Sequence, residues 1–71
     1  MDRVAVTSSS VASVGYSAET STLELGYRNG SVYQYFAVPR SVFEGLLAAG
    51  SKGAFVSVSI RGRYPYCRVE G

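Results

Sequence analysis

The chain has 71 residues, of which 46% are hydrophobic and 17% charged, and its net charge is +2. This composition excludes a disordered tail and fits one small domain, near the size at which a single hydrophobic core is barely sufficient. With no histidine and one cysteine, Cys67, the chain cannot contain a Ser-His-Asp or Cys-His catalytic arrangement, an internal disulfide or a zinc site of the usual ligands.

The chain carries no sequence signal for a membrane. No apolar run approaches the roughly 18 residues that span a bilayer, and the N-terminus lacks the apolar region of a signal peptide. We therefore expect a cytoplasmic protein with no membrane partner. The charge is unevenly distributed, because residues 51–69 contain no acid and four cations, namely Lys52, Arg61, Arg63 and Arg68.

The first part of the chain predicts antiparallel strands. Residues 1–5 are expected to form a loose arm, and residues 11–16 are a first strand candidate, followed by a polar turn. The segment Thr22–Tyr27 alternates with period two and predicts a second strand. Its buried side consists of Leu23, Leu25 and Tyr27.

The Asn29-Gly30 pair predicts a hairpin with a type I′ turn, because both residues tolerate positive φ angles. The following residues, 30–39, are rich in β-branched and aromatic side chains and predict the central strand. Tyr33 and Tyr35 share one face of it, because strand side chains alternate. The hairpin register decides whether that face packs against a helix or is free to bind, so both arrangements remain open.

After Pro39 the pattern changes to a helical period. Ser41 and Glu44 have the spacing of a capping box, and Gly50 is expected to end the helix. The helix presents one apolar stripe, so Leu46→Ala or Leu47→Ala is expected to be severely destabilising. The stripe consists of Val42, Phe43, Leu46 and Leu47.

Local rules disagree over residues 54–60. Alternation and β-branched content favour a strand, whereas the spacing of four between Val56 and Ile60 favours a short helix that begins near Ser51. The tail that follows is aromatic and basic. Pro65 restricts any strand there to an edge or a bulge.

Several short segments form an ordered set that resembles a known family. They are Val6-x-Ser8-Ser9, Val14-Gly15-Tyr16, Gly30-x-x-Tyr33-x-Tyr35, Val38-Pro39, Leu47-x-Ala49-x-Ser51-Lys52-Gly53 and Ile60-Arg61-x-x-Tyr64. Together they resemble the KTSC domain, a module of about this size that stands alone in bacterial and phage proteins or ends some lysyl-tRNA synthetases. That family has no established function, and its synthetase context suggests RNA binding. Ser17, Val56 and Ser57 depart from residues that are common in it.

The resemblance covers nearly the whole chain and implies one α+β domain over residues 1–71. We expect a small antiparallel β-meander of three to four strands that packs against one capped α-helix, with a C-terminal strand as a further element. On the resemblance, a second short helix is placed near residues 54–60.

Candidate binding residues are basic or aromatic. The predicted nucleic-acid-binding set is Lys52, Arg61, Arg63, Arg40, Tyr33, Tyr35 and Tyr64, with Arg68 and Tyr66 as additions. Cations would contact phosphates and rings would stack on bases. The alternative is a solvated basic edge, with the tyrosines covering the core and Arg61 bound to Glu44 or a carbonyl. Cys67 is expected to be a half-buried hydrophobe, with a redox role as the alternative.

Enzymatic function is not expected, since five scattered carboxylates show no pairing by spacing and no phosphate-binding glycine motif is present. Neither a metal nor a cofactor is indicated. The first hypothesis is a module that binds RNA or another single-stranded nucleic acid. The alternative is a protein-interaction module, of bacterial or phage type, that uses the free sheet face or an exposed edge strand.

Overall fold

The structure is a computed structural model that describes residues 1–70, so residue 71 of the predicted single domain lies outside it. An antiparallel sheet with strand order β1-β2-β3-β4-β5 carries its helices between β4 and β5. This architecture confirms the α+β class. The strands are β1 (Val4–Ala5), β2 (Val11–Ser17), β3 (Thr22–Tyr27), β4 (Val32–Tyr35) and β5 (Tyr66–Glu70). The helices are α1 (Arg40–Ala48) and α2 (Lys52–Phe55), and α2 continues as a π-helical turn, Val56–Ile60.

The N-terminal arm is part of the sheet, so the prediction of a loose arm over residues 1–5 is wrong. β1 pairs with β2, and Val4 lies opposite Val14. The preceding residues lie close to the sheet at Gly15, where a Cβ atom would be 2.5 Å from the carbonyl oxygen of Asp2. Arg3 secures this approach through an ion pair with Glu24.

The two alternating segments form strands where they were predicted, as β2 and β3. β3, rather than the segment 30–39, occupies the centre of the sheet, because β1 adds a strand on the far side of β2. β4 is an inner strand and is shorter than expected. It ends at Tyr35, and Ala37 then has a φ of 58°, a left-handed conformation that turns the chain toward α1.

The hairpin between β3 and β4 is confirmed, but its turn is not type I′. The amide of Gly30 donates to the carbonyl of Tyr27 at 3.0 Å, and the amide of Tyr27 donates to the carbonyl of Ser31 at 2.8 Å. Gly30 has a φ of 92°, whereas Asn29 is not left-handed. Asn29 instead accepts a hydrogen bond from the amide of Ser31 at 2.9 Å, which favours a type I turn followed by a bulge at glycine.

The prediction of a capping box at the start of α1 is wrong. Pro39 is the N-cap, and no side chain caps the helix there. With Pro39 as N-cap, the capping-box position is Val42, so Glu44 lies two positions too far along the helix and pairs instead with Arg40 at 3.2 Å. The helix ends with Ala49 as C-cap rather than through Gly50.

The apolar stripe of α1 is narrower than predicted. Leu46 is fully buried, whereas Leu47 is 41% exposed and lies outside the core.

Residues 54–60 are helical, which confirms the short helix and rejects the strand. Val56 and Ile60 are both buried one helical repeat apart, while Val58, which the alternation placed with them, is 68% exposed.

The core lies between the sheet and the helices. It consists of Val11, Val14, Leu23, Leu25, Tyr35, Val38, Leu46, Val56 and Ile60. Tyr16 of β2 stacks on Phe43 of α1 with ring centroids 5.2 Å apart. The face of β3 and β4 that carries Leu23 and Tyr35 therefore lies toward the helices.

Candidate functional site

Four tyrosines from three neighbouring strands form one cluster on the helix-facing side of the sheet. The register places Tyr33 opposite Leu25 and Tyr35 opposite Tyr66, so these side chains share a face. Tyr33 is the centre of the cluster. Its ring centroid lies 5.6 Å from that of Tyr27, 6.4 Å from that of Tyr35 and 5.7 Å from that of Tyr66.

The cluster has a buried side and an open side. Tyr35 is 3% exposed and belongs to the core, whereas Tyr66 on the edge strand is 60% exposed. Between these extremes lies an open cleft of about 470 Å³. It is lined by Tyr27, Asn29, Ser31, Tyr33, Tyr35, Arg61, Gly62 and Tyr66. We call it the tyrosine cleft.

The phenol groups of the tyrosine cleft interact with one another. The Oη atoms of Tyr27 and Tyr35 lie 3.3 Å apart and share a hydrogen bond. Burial raises the pKa of Tyr27 far above its ordinary value, and the hydrogen bond to Tyr35 raises it further, against an opposing effect of the Arg61 charge. The Tyr27 phenol is therefore neutral at physiological pH.

Arg61 supplies positive charge to the tyrosine cleft. Its amide donates to the carbonyl of Val56 at 2.8 Å, which closes the π-helical turn, and Gly62 follows with a φ of 78°. Its guanidinium makes no hydrogen bond or ion pair with any other residue of the described part of the chain, so the alternative role of a structural contact with Glu44 or a carbonyl is not seen there. The charge remains available to a ligand.

The other predicted cations do not line this cleft. Lys52 donates its ammonium group to the carbonyls of Leu47 and Ala49, at 3.1 and 2.7 Å. Arg40 pairs with Glu44. Arg63 donates a hydrogen bond to the carbonyl of Val58 at 3.1 Å. The predicted ring of Tyr64 also lies outside the cleft, where it is half-buried against the core.

The structure therefore brings together Arg61, Tyr33 and Tyr35 from the predicted set, together with Tyr66, which was named as an addition to it. Tyr27 was not predicted as a cleft residue, although the period of two in β3 placed its side chain on the same face as Leu25. That shared face was the signal, but it points to the cleft only when the hairpin register, which sets the strand pairing, is known. Arg68 lies opposite Tyr33 and donates to Ser31 Oγ at 3.3 Å, beside the cleft.

The other sheet face carries a buried carboxylate, Glu24, which accepts hydrogen bonds from Arg3 and from Gln34. Burial raises its pKa, but those bonds and the charge of Arg3 lower it more, so the pKa lies below its ordinary value. Cys67, opposite Gln34 on β5, is exposed rather than half-buried.

Residues 1–70 contain no group of three or more His, Cys, Asp or Glu side chains arranged to bind a metal ion. Among the same residues, no helix is both long enough and apolar enough to cross a membrane.

Comparison with known proteins identifies the family. The KTSC domain model matches residues 7–64. An uncharacterized protein of Stutzerimonas stutzeri is 42% identical over 71 residues, which is 99% of this chain and 100% of that protein. A lysine–tRNA ligase of Trichormus variabilis is 43% identical over 51 residues, but this is 72% of the chain and only 9% of the ligase. The crystal structure of a KTSC domain protein from Yersinia pestis superposes with a TM-score of 0.92 at 33% identity, covering 96% of each chain. The chain belongs to the KTSC domain family.

Proposed function

We propose that this protein is a small non-enzymatic module that binds single-stranded RNA in the tyrosine cleft. One observation carries the proposal: the rings of Tyr33 and Tyr66 border the same cleft as the Arg61 guanidinium, which has no partner within residues 1–70. Bases stack on aromatic faces, and a guanidinium binds phosphate oxygens through two parallel hydrogen bonds.

The charge near the cleft supports an anionic ligand. Arg63 follows Gly62 in the same loop, and Arg68 lies opposite Tyr33 on β5. Among the residues that the structure describes, no carboxylate lines the cleft. The net charge of +2 is small for a nucleic-acid-binding domain, so we expect modest affinity with a strong dependence on salt.

The similarity to lysine–tRNA ligases, proteins named for a reaction on tRNA, favours RNA over DNA and supports a cytoplasmic setting. The shared segment is 9% of the ligase, which is why no enzymatic activity is transferred to this chain. The proposal concerns binding alone.

A labelled pool of single-stranded RNA, titrated by fluorescence anisotropy, tests the proposal. With two or three phosphates contacted, one by Arg61 in the cleft and the others by Arg63 and Arg68 beside it, the logarithm of the association constant should fall with the logarithm of salt concentration with a slope of about −1.4 to −2. Arg61→Ala combined with Arg63→Ala should weaken binding without changing the circular dichroism spectrum. Arg40→Ala, which removes one positive charge from α1 outside the cleft, is the control for each single substitution. Absence of binding at about 50 mM salt would reject RNA binding.

One observation favours a protein-interaction module as the second candidate. β5 is an edge strand, with Tyr66 60% and Val69 43% exposed, and such an edge can accept an extended segment of a partner. This function predicts capture of a partner protein whose binding changes little with salt and is unaffected by Arg61→Ala.

A further inference from the structure

We propose that the tyrosine cleft accommodates one nucleotide unit, an aromatic base with a single attached phosphate, rather than a run of stacked bases. The inference rests on the proposed function in using the same cleft, and it adds the size and chemistry of the group that enters.

The volume suits a ligand of nucleotide size. At about 470 Å³, the cleft falls in the lower part of the range of about 300 to 1,000 Å³ that is typical of small-molecule sites. A polynucleotide that binds through consecutive stacked bases instead needs an extended platform along a groove. The cleft residues border one open depression.

The orientation of the rings leads to the same conclusion. The ring planes of Tyr27 and Tyr33 are nearly perpendicular, at 85°, and those of Tyr33 and Tyr66 are tilted by 37°. Tyr33 and Tyr35 are closer to parallel, at 22°, but Tyr35 is buried. The accessible rings therefore form walls of a concave site and do not provide parallel surfaces for successive bases. One base can therefore contact several rings at once, by stacking on one and meeting the edge of another.

The polar groups of the lining divide into a charged part and a neutral part. Among the described residues that line the cleft, Arg61 is the only cation, which matches one phosphate group. Asn29 and Ser31 are neutral, and the Asn29 side-chain oxygen is already used by the amide of Ser31. The amide nitrogen of Asn29 keeps its N–H donors for an acceptor on a base edge.

The experiment is a titration of the ¹⁵N-labelled protein, followed by chemical-shift changes, with AMP, UMP, adenosine and ribose 5-phosphate as separate ligands. We expect AMP or UMP to shift the amides of the cleft residues. Adenosine and ribose 5-phosphate should each bind about tenfold more weakly than AMP, because each lacks one of the two contacts.

Two variants separate the phosphate and base contacts. Arg61→Ala should weaken the binding of AMP about tenfold and leave the binding of adenosine unchanged. Tyr66→Ala should weaken the binding of both ligands at least about fivefold. Arg40→Ala is the charge-matched control and should bind AMP as the unmodified protein does. Arg61 and Tyr66 are exposed, so these substitutions should leave the fold intact, which the amide spectrum itself reports.

The outcomes distinguish this inference from RNA binding in general. If a hexauridylate binds but neither AMP nor UMP binds or competes with it, the single-nucleotide site is overturned and RNA binding stands. If AMP or UMP binds in the cleft and the oligonucleotide does not, the nucleotide site stands and RNA binding is rejected. Shifts from AMP that are unaffected by both Arg61→Ala and Tyr66→Ala would also overturn the inference.

Discussion

The ammonium nitrogen of Lys52 lies 2.7 Å from the carbonyl oxygen of Ala49, at the C-terminal end of α1. A cation at this position satisfies carbonyl groups that lack helical partners and interacts favourably with the helix dipole. Lys52 was predicted from the sequence to contact phosphate. In the fold its charge already stabilises the connection between the two helices.

We therefore predict that Lys52→Met lowers the free energy of unfolding by about 1 kcal/mol. Urea denaturation measures this change, with Lys52→Arg as a variant that keeps the charge. The effect on RNA affinity should be smaller than that of Arg61→Ala. A loss of affinity as large as that of Arg61→Ala, without any loss of stability, would contradict the capping role.

Leu46 and Leu47 are neighbours of the same size with different burial. Leu46 is fully buried in the core, whereas Leu47 is 41% exposed. Leu46→Ala should lower the free energy of unfolding by about 2 to 5 kcal/mol, and Leu47→Ala by less than about 1 kcal/mol. Thermal or urea unfolding of both variants measures the difference. Equal losses would mean that the face of α1 is assigned incorrectly.

Glu24 should make the protein sensitive to acid. Its pKa lies below the ordinary value of 4.5 because hydrogen bonds from Gln34 and Arg3, with the Arg3 charge, outweigh the effect of burial. The unfolded chain then takes up a proton at Glu24 at a higher pH than the folded chain does. The stability that Glu24 provides is complete above pH 4.5 and is lost as the pH falls through the folded pKa.

Urea midpoints measured from neutral pH down to pH values below the pKa of free glutamate test this effect. Glu24→Gln should flatten the decline of the urea midpoint with falling pH, whereas Glu44→Gln, at an exposed helix position, should leave that decline nearly unchanged. Arg3→Ala should cost about 1 to 3 kcal/mol at neutral pH, because it leaves a buried carboxylate without one partner. A decline unchanged by Glu24→Gln would show that other carboxylates cause it.

Tyr27 should make the protein sensitive to alkali. Burial, followed by the hydrogen bond with Tyr35, raises its pKa above the ordinary value of 10.0. Above that pH the unfolded chain releases the Tyr27 proton while the folded chain retains it, so stability is lost as the pH rises toward the folded pKa. Tyr27→Phe should reduce this loss in denaturation at alkaline pH. Tyr66→Phe, on the exposed edge strand, is the control and should not reduce it.

Much of the sheet could be predicted from local pattern. The alternation in Thr22–Tyr27 indicated both the strand and the side that faces the core, although Thr22 and Glu24 on its other face are buried as well. The turn at Asn29-Gly30 followed from the preference of these residues for turn conformations. The turn type was predicted incorrectly because Asn29 binds the amide of Ser31, a local contact that residue preferences alone do not specify.

The helical region was less predictable. Ser41 and Glu44 have capping-box spacing, but the spacing does not report where the helix begins, and Pro39 is the N-cap. In residues 54–60, alternation suggested a strand although Val56 and Ile60 lie on one side of a helix. Short apolar segments satisfy both periods, and packing against the core decides between them.

The sequence by itself determined that Tyr33 and Tyr35 point the same way and that the last third of the chain is basic. These properties depend only on the period of a strand and on composition. Only the tertiary structure decided that the pair lies toward the helices, with Tyr35 in the core and Tyr33 at the open cleft. The reason is that strand register places Tyr66 opposite Tyr35, and the end of the π-helical turn places Arg61 beside them. Contacts between residues distant in the chain have no signature in local spacing.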